Sequence, residues 1–288
     1  GEVGIKIDLD NVPLREKGMN AYEIMLSESQ ERMLVVIEKG FDMDLTAIFD
    51  KWNLHCTQIG EVTDSGMLEV YQGNEKIAEI PSEELVLGGG APQYDMPVRE
   101  PAYFSEMNDF SIESISEPTD YNTTLLTLLS SPNITCKHFI YNQYDSTVRS
   151  NTVQGPGGDG AVIRLKGTKK GLAMSTDCNG RYVYLNPRLG GQIAVAEAAR
   201  NVICSGGEPI AITNCLNFGN PQDPEIYWQF KEATTGIGEA CRSFNTPVTG
   251  GNVSFYNETG ESAVYPTPVI GMVGLLENIE QNTTMEFK

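Results

Sequence analysis

The sequence predicts an α+β protein of two domains. Its 288 residues are 40% hydrophobic, which is enough for two domains of ordinary size to bury a core each. Short apolar runs bounded by turn residues predict strands in both halves, and apolar residues spaced three or four apart predict helices. The predicted limits are residues 1–98 for the first domain, 99–119 for a linker and 120–288 for the second domain.

The first predicted domain begins inside a strand, because residues 4–9 already alternate between apolar and polar types. This start suggests a chain excised from something longer. The run Met33–Ile37 predicts a buried strand. Asp42 is the predicted cap of a helix whose apolar face is Leu45, Ile48, Phe49 and Trp52. Further strands are predicted at residues 55–63, 67–72 and 76–80, the first two joined at residues 64–66.

Residues 88–92 and the polar, proline-bearing stretch up to Thr119 predict a linker or surface excursion. The second domain then shows several predicted elements, which share clear periodicity or flanking turn residues. These are a helix at 121–130, strands at 135–141, 161–165 and 172–176, a buried helix from Gly190 that ends at Gly206–Gly207, and a strand at 264–276.

Residues 206–258 are the stretch around which the second domain is organised. Two apolar runs, 209–213 and 246–249, each precede a polar loop, 214–221 and 249–258. The segment between them has a helical apolar face and starts at Asp223–Pro224, with proline in the first turn. Its face is Ile226, Phe230, Ala233, Ile237, Cys241 and Phe244. Both loops are therefore expected on the same side.

The second loop carries residues suited to an anion. Gly250 and Gly251 lack a Cβ, so the backbone N–H groups can approach a phosphate closely. In an extended segment Asn252 and Ser254 point to the same face and bring a carboxamide and a hydroxyl beside the glycines. The pattern predicts a phosphate or metal–phosphate site, although a glycine kink in a strand with polar residues facing water has the same pattern.

Composition disfavours several classes of protein. The formal net charge is -19 without a compensating basic stripe, which disfavours nucleic-acid binding. No apolar run is long enough to span a bilayer, which disfavours a membrane protein. The six cysteines form no C-x-x-C pair and the chain has two histidines, so a structural zinc site is not expected. The absence of a leader and the cysteine pattern predict a cytoplasmic protein.

Several segments of the chain carry specific motifs. The most specific are NCLNFGNPQDPE at residues 214–225, GGNVSFYNE at 250–258 and SESQERM at 27–33. Further motif segments lie at residues 131–134, 143–145, 151–157, 166–168, 177–179, 194–201 and 266–273. In sequence and in order, these segments resemble phosphoribosylformylglycinamidine synthase of the short synthetase-subunit type. The resemblance implies an aminoimidazole ribonucleotide synthetase-like fold, with a C-terminal-type α/β sandwich domain followed by an N-terminal-type domain.

Enzymes of the family that these segments resemble convert formylglycinamide ribonucleotide, glutamine-derived ammonia and ATP into formylglycinamidine ribonucleotide, ADP and phosphate in purine biosynthesis. By position, the resemblance implies a Mg²⁺ ligand at Asn252 and ATP contacts at Asn214 and Gly251. It implies substrate contacts at Ser254 and at the triplet Glu28, Ser29 and Gln30. Asn214 departs from the aspartate usual in the family and brings one fewer negative charge. Asp159, Asp177, Lys166, Lys169 and Lys170 are weaker candidates for metal or phosphate contacts.

The family's N-terminal domain, with its catalytic histidine, and its last domain have no counterpart here. No catalytic residue is therefore assigned, and the chain alone is expected to be inactive. The resemblance implies a glutaminase subunit and a small bridging subunit as partners. An open sheet edge in the second domain makes a homodimer possible. Two other functions stay open, namely another ATP-using enzyme of the superfamily, such as aminoimidazole ribonucleotide or selenophosphate synthetase, and a non-catalytic module that holds a nucleotide.

Overall fold

The computed structural model describes residues 3–28, 32–86, 90, 94–260 and 262–286. The chain divides into two compact units, residues 1–94 and residues 95–288. In the part of the chain that is described, no helix has both the length and the apolar character needed to cross a membrane. The predicted domain limits at residues 98 and 120 remain a prediction.

The described residues form strands and helices in both units. The strands are β1 Gly4–Asp8, β2 Gly60–Thr63, β3 Met67–Gln72, β4 Glu75–Pro81, β5 Thr152–Gln154, β6 Ala161–Arg164, β7 Gly171–Asp177, β8 Glu208–Asn217, β9 Val248–Ser254, β10 Glu258–Thr259, β11 Ser262–Ala263 and β12 Thr267–Leu276. The α-helices are α1 Ala21–Leu26, α2 Asp42–Lys51, α3 Ala102–Asn108, α4 Tyr121–Ser130, α5 His138–Tyr141, α6 Gly180–Leu185, α7 Pro187–Cys204 and α8 Pro224–Phe244. Single 3-10 turns lie at Leu9–Asn11, Ser82–Leu85, Ile112–Ser114, Val148–Ser150 and Ile279–Gln281.

The first unit contains a four-stranded sheet in the order β2-β1-β3-β4. Strand β1 lies between β2 and β3, antiparallel to β2 and parallel to β3. The turn predicted at residues 64–66 exists and joins β2 to β3. These two strands do not pair with each other, because β1 lies between them in the sheet. The predicted strand at 55–63 is confirmed only for Gly60–Thr63.

Two predictions in the first unit were wrong. Met33–Ile37 has no strand pairing, and its side chains are largely exposed, with Met33 at 87%. An apolar run forms a buried strand only when a neighbouring strand completes its hydrogen bonds, and none in the described residues does so. Asp42 does not cap α2, because Phe41 is the residue before the helix and Asp42 lies in its first turn.

The second unit is built on a six-stranded sheet in the order β5-β6-β7-β12-β8-β9. Along β12 buried and half-buried residues alternate, as expected for a strand with one face covered. Helix α7 packs on β7 and β12, and α8 packs against α7. The core includes Val195, Val202, Ile237, Ile270 and Met272, all at most 3% exposed. Helices α7 and α8 and the sheet therefore share one hydrophobic core.

The two long helices show how local sequence sets their ends. The Asp223 side chain accepts from the Glu225 N–H and Pro224 follows it, as predicted for the start of α8. Helix α7 begins at Pro187, earlier than the predicted Gly190, because the Asn186 side chain accepts from the Leu189 N–H. Its predicted burial holds for one side only, since Ile203 is 59% exposed.

Two further predictions need correction. Residues 138–141 of the predicted strand 135–141 form α5 instead. The predicted strand 264–276 begins only at Thr267, the residue at which pairing with β8 starts, opposite Asn217. Two residues within the predicted linker contact α8. Arg99, which precedes α3, pairs with Glu225 at 3.1 Å, and the Gln229 amide donates to the hydroxyl of Tyr103 in α3 at 2.9 Å. Burial raises the pKa of Tyr103 to about 12.

Candidate functional site

The predicted site residues of the second unit lie on β8 and β9. These strands run parallel, with Asn214 opposite Gly251, Cys215 opposite Asn252 and Asn217 opposite Ser254. The sequence predicted loops at 214–221 and 249–258, but residues 214–217 and 249–254 are paired strand. The hydrogen-bonded ladder satisfies the backbone of these polar residues, so they extend the strands instead of leaving them.

Gly251 is required by its close approach to Asn214. A Cβ on Gly251 would lie 2.5 Å from the backbone oxygen and 2.9 Å from the Cγ of Asn214, and closer still to its Oδ1. The neighbouring Gly250 has open space, with no atom within 4 Å of a Cβ placed there. The carboxamide of Asn214 thus occupies the space that a side chain at Gly251 would fill.

Strand β9 is an edge strand of the six-stranded sheet, and its residues from Val248 to Val253 are exposed. Asn252 and Ser254 share one face, as the alternation of a strand requires. Asn252 therefore presents an exposed carboxamide, while Ser254 is half-buried. The arrangement offers backbone N–H groups, a carboxamide oxygen and a hydroxyl along one strand.

Beyond the strands, the two chain segments are tied together. The Phe218 N–H donates to the Ser254 oxygen at 3.0 Å, and the Asn257 N–H donates to the Phe218 oxygen at 3.2 Å. The Asn220 N–H donates to the Glu258 carboxylate at 2.7 Å. The prediction that both loops emerge on the same side is confirmed.

The predicted substrate triplet belongs to the first unit. Glu28 follows α1 and is exposed. Ser29 and Gln30 lie outside the described residues. Sequence reasoning did not assign a role to Asn217 or Asn257, although both lie in the quoted motifs. Asn217 donates to the Thr267 oxygen at 3.1 Å and so joins β8 to β12.

The side chains of three of the weaker candidates, Lys166, Lys170 and Asp177, have partners within the protein. The Lys166 ammonium donates to the Arg149 oxygen, and Lys170 pairs with Glu277 at 2.8 Å. The Asn201 amide donates to Asp177 Oδ1 at 2.8 Å, whereas Asp177 Oδ2 is buried and has no hydrogen-bond partner among the described residues. Among the residues that the structure describes, no three His, Cys, Asp or Glu side chains cluster as a metal site.

Burial raises the pKa of the Asp177 carboxyl above its usual value. The folded chain then binds this proton more tightly than the unfolded chain, so stability should fall as pH rises from the usual aspartate pKa to the raised one. We expect Asp177→Asn to remove this fall and to raise the melting temperature at pH 7. Melting curves from pH 3 to pH 8 test this.

Asp145 is a control for which the opposite change in melting temperature is expected. Hydrogen bonds from Thr147 lower the pKa of its carboxyl, so its contribution to stability is present at neutral pH and is lost as pH falls through the lowered pKa. Asp145→Asn should therefore lower the melting temperature at pH 7. A fall in melting temperature for Asp177→Asn as well would contradict the assignment.

Comparison with known proteins extends this geometry. Residues 1–73 match the C-terminal domain of AIR synthase related proteins, and residues 157–276 match the N-terminal domain of the same family. The second match contains β8, α8 and β9. The chain belongs to the AIR synthase-related family. The predicted order of domains, C-terminal type before N-terminal type, is confirmed.

Curated relatives in this family confirm the resemblance to phosphoribosylformylglycinamidine synthase. The chain is 56% identical to "Phosphoribosylformylglycinamidine synthase subunit PurL" of Chlorobaculum tepidum over 100% of the chain and 38% of the relative. It is 54% identical to the PurL subunit of Alkaliphilus metalliredigens over 100% of the chain and 39% of the relative. The chain thus spans about two fifths of the length of these relatives.

Solved structures of AIR synthase-related proteins share the fold. T. maritima PurL complexed with ATP is 31% identical, with a TM-score of 0.70, over 96% of this chain and 43% of that one. T. maritima PurL complexed with FGAR is 30% identical, with a TM-score of 0.70, over 96% of this chain and 42% of that one. The structure of PurLQS from Thermotoga maritima has a TM-score of 0.73 at 29% identity, over 99% of this chain and 44% of that one.

Proposed function

We propose that the chain is part of the ATP-dependent, amidine-forming ligase of de novo purine biosynthesis. The ligase converts formylglycinamide ribonucleotide, glutamine-derived ammonia and ATP into formylglycinamidine ribonucleotide, ADP and phosphate. The observation that carries the proposal is the close contact of Gly251 with Asn214, beside Asn252 and Ser254 on one strand. The names of the relatives, and the T. maritima PurL complexes with ATP and FGAR, support it.

The residues have separate roles in this proposal. Gly251 lets the backbone approach ATP, and the Asn214 amide lies next to that contact. Asn252 presents a carboxamide oxygen, one of the ligand types that Mg²⁺ accepts while it keeps waters and nucleotide phosphates. Ser254 is a proposed substrate contact of the second unit, and Glu28, Ser29 and Gln30 are proposed substrate contacts of the first unit. When bound, Mg²⁺ neutralises charge that develops on the transferred phosphoryl group.

This chain's contribution to the reaction is positioning. The amide oxygen of the substrate is a poor leaving group, so ATP phosphorylates it before ammonia displaces phosphate. Phosphoryl transfer depends chiefly on alignment and on fixed dipoles around the transferred group. The paired strands β8 and β9 supply such fixed N–H groups and amides. No residue of this chain is proposed as a catalytic acid, base or nucleophile.

The proposed partners are a glutaminase subunit and a small bridging subunit, in the cytoplasm. The structure of PurLQS supports an assembly with further subunits. The exposed edge strand β9 would also allow two copies of the chain to associate. Light scattering tests this, since a strictly monomeric mass at micromolar concentration would contradict a homodimer.

The test of the proposed function is ammonia-dependent ADP formation. A full-length polypeptide containing this chain should form ADP only when formylglycinamide ribonucleotide and Mg²⁺ are both present. Asn252→Ala should lower kcat/KM at least about tenfold, because one metal ligand is lost. The 288-residue chain alone should form none. Turnover by the chain alone would contradict the proposed need for further domains.

A second candidate is a non-catalytic module that holds a nucleotide. The uncharged amide of Asn214, in place of the carboxylate usual in the family, favours it. In that case nucleotide would remain bound in stoichiometric amount and would never be hydrolysed. A folded full-length polypeptide that binds ATP yet forms no ADP with substrate and ammonia would establish this candidate in place of the ligase.

A further inference from the structure

Asn257 lies where the segments that follow β8 and β9 meet. Its Nδ2 atom is 3.0 Å from the Phe218 oxygen, 2.8 Å from the Ser254 oxygen and 3.1 Å from Ser254 Oγ. Its Oδ1 atom is 3.2 Å from the same Ser254 Oγ. One half-buried side chain thus contacts both strand ends and the hydroxyl of the proposed substrate residue.

The number of hydrogens on Asn257 Nδ2 decides the orientation of the Ser254 hydroxyl. A primary amide has two N–H hydrogens, and two backbone carbonyls, which have no hydrogen of their own, are within reach of Nδ2. Once those carbonyls take both hydrogens, Ser254 is left to donate its hydroxyl hydrogen to Asn257 Oδ1. The lone pairs of Ser254 Oγ then remain available to accept a hydrogen bond from a ligand.

The backbone conformation of Tyr256, next to Asn257, shows that contacts between the two segments hold this part of the chain in place. Tyr256 has a φ of 59°, a left-handed conformation that is uncommon for a bulky residue. Its N–H donates to the Gly219 oxygen at 3.0 Å, and its side chain is 60% exposed. The strained residue is therefore held by contacts across the two segments and not by packing of its own ring.

We propose that Asn257 is a positioning residue that turns the Ser254 hydroxyl into a hydrogen-bond acceptor for the substrate. An acceptor suits a donor group of the ribonucleotide, namely an amide N–H or a ribose hydroxyl, and not its phosphate. This inference rests on the proposed function. It differs from that function in assigning a role to Asn257 and in naming the part of the substrate that Ser254 contacts.

A double-mutant cycle on the full-length polypeptide tests the proposal. Ser254→Ala and Asn257→Ala should each raise the KM for formylglycinamide ribonucleotide about tenfold, with kcat changed less. The double variant should be no worse than the more affected single variant, because Asn257 acts through Ser254. The inhibition constant of inorganic phosphate should stay unchanged in all three. Additive losses, or weaker phosphate inhibition in Ser254→Ala, would overturn the proposal.

Two further variants separate positioning from folding. Asn257→Asp keeps an oxygen for the Ser254 hydroxyl but loses the donors to the carbonyls, so it should lower the melting temperature and raise KM less than Asn257→Ala. Asn278→Ala removes another turn-closing asparagine of the same unit, which accepts from the Glu280 N–H at 3.1 Å, and should leave KM unchanged. An equal rise in KM for Asn278→Ala would reduce Asn257 to a structural role.

Failure of the proposed function gives a different pattern. If the unchanged polypeptide forms no substrate-dependent ADP, the assignment as a ligase is wrong. If it does, but Ser254→Ala leaves KM unchanged, the substrate role of Ser254 is wrong. If Ser254→Ala raises KM and Asn257→Ala does not, only the role of Asn257 is overturned.

Discussion

Replacement of Gly236 by alanine should destabilise the second unit by about 3 kcal/mol. Helices α7 and α8 approach closely at this glycine. A Cβ on Gly236 would lie 2.8 Å from the carbonyl carbon of Arg188 and closer to its oxygen. The backbone of α7 cannot yield as a flexible side chain would. The helices must separate, and Ala233, Ile237 and the core around them lose contacts.

Gly238 supplies the matched control two residues later in α8. A Cβ there would meet only the guanidinium of Arg242, at 3.4 Å or more. Gly238→Ala should therefore stabilise the helix by up to about 1 kcal/mol. Urea unfolding followed by Trp228 fluorescence, in a Trp52→Phe background, reports the second unit because the chain has two tryptophans. Equal effects of the two alanines would contradict the close helix contact.

Replacement of Gly251 by alanine should weaken binding of ATP and Mg²⁺ at least about tenfold, or about 1.4 kcal/mol. The new methyl group would overlap the Asn214 side chain and lie 2.5 Å from its backbone oxygen. To make room, Asn214 must move or β9 must separate from β8. Either change displaces the N–H groups and the carboxamides that the proposal places against the nucleotide.

Gly250→Ala is the control, because the space around Gly250 is open. It should leave nucleotide affinity within about twofold of the unchanged chain, since exposed substitutions without lost contacts have small effects. Isothermal titration of ATP with Mg²⁺ measures both variants. If Gly250→Ala weakened binding as much as Gly251→Ala, the contact with Asn214 would not be the cause.

The elements predicted best are those whose periodicity and packing agree. Helix α8 has an apolar face at helical spacing and a cap at Asp223, and the structure buries Ala233, Ile237 and Cys241 on that face. Met33–Ile37 shows the limit of such reasoning. Five apolar residues predict burial, but burial also needs a pairing strand, which a local pattern does not contain.

The sequence predicted which residues form the candidate site but not where they lie in the fold. The residues of the glycine loop, with Asn252 and Ser254, were identified from their types and their order. Their location on paired strands was missed, since parallel pairing of β8 with β9 joins residues 37 apart in sequence, such as Asn214 and Gly251. Asn257 was missed because its role arises from contacts with Phe218 and Ser254 in the folded chain.

The most direct test is an NMR titration of the ¹⁵N-labelled chain with AMPPCP and Mg²⁺. We expect the largest shifts of backbone amide signals at residues 250–254 and at Asn214, because these residues form the proposed nucleotide site on β8 and β9. Asn252→Ala should abolish the dependence on Mg²⁺. Binding that shifts amides elsewhere in the chain and leaves residues 250–254 unchanged would contradict the assignment of the nucleotide site.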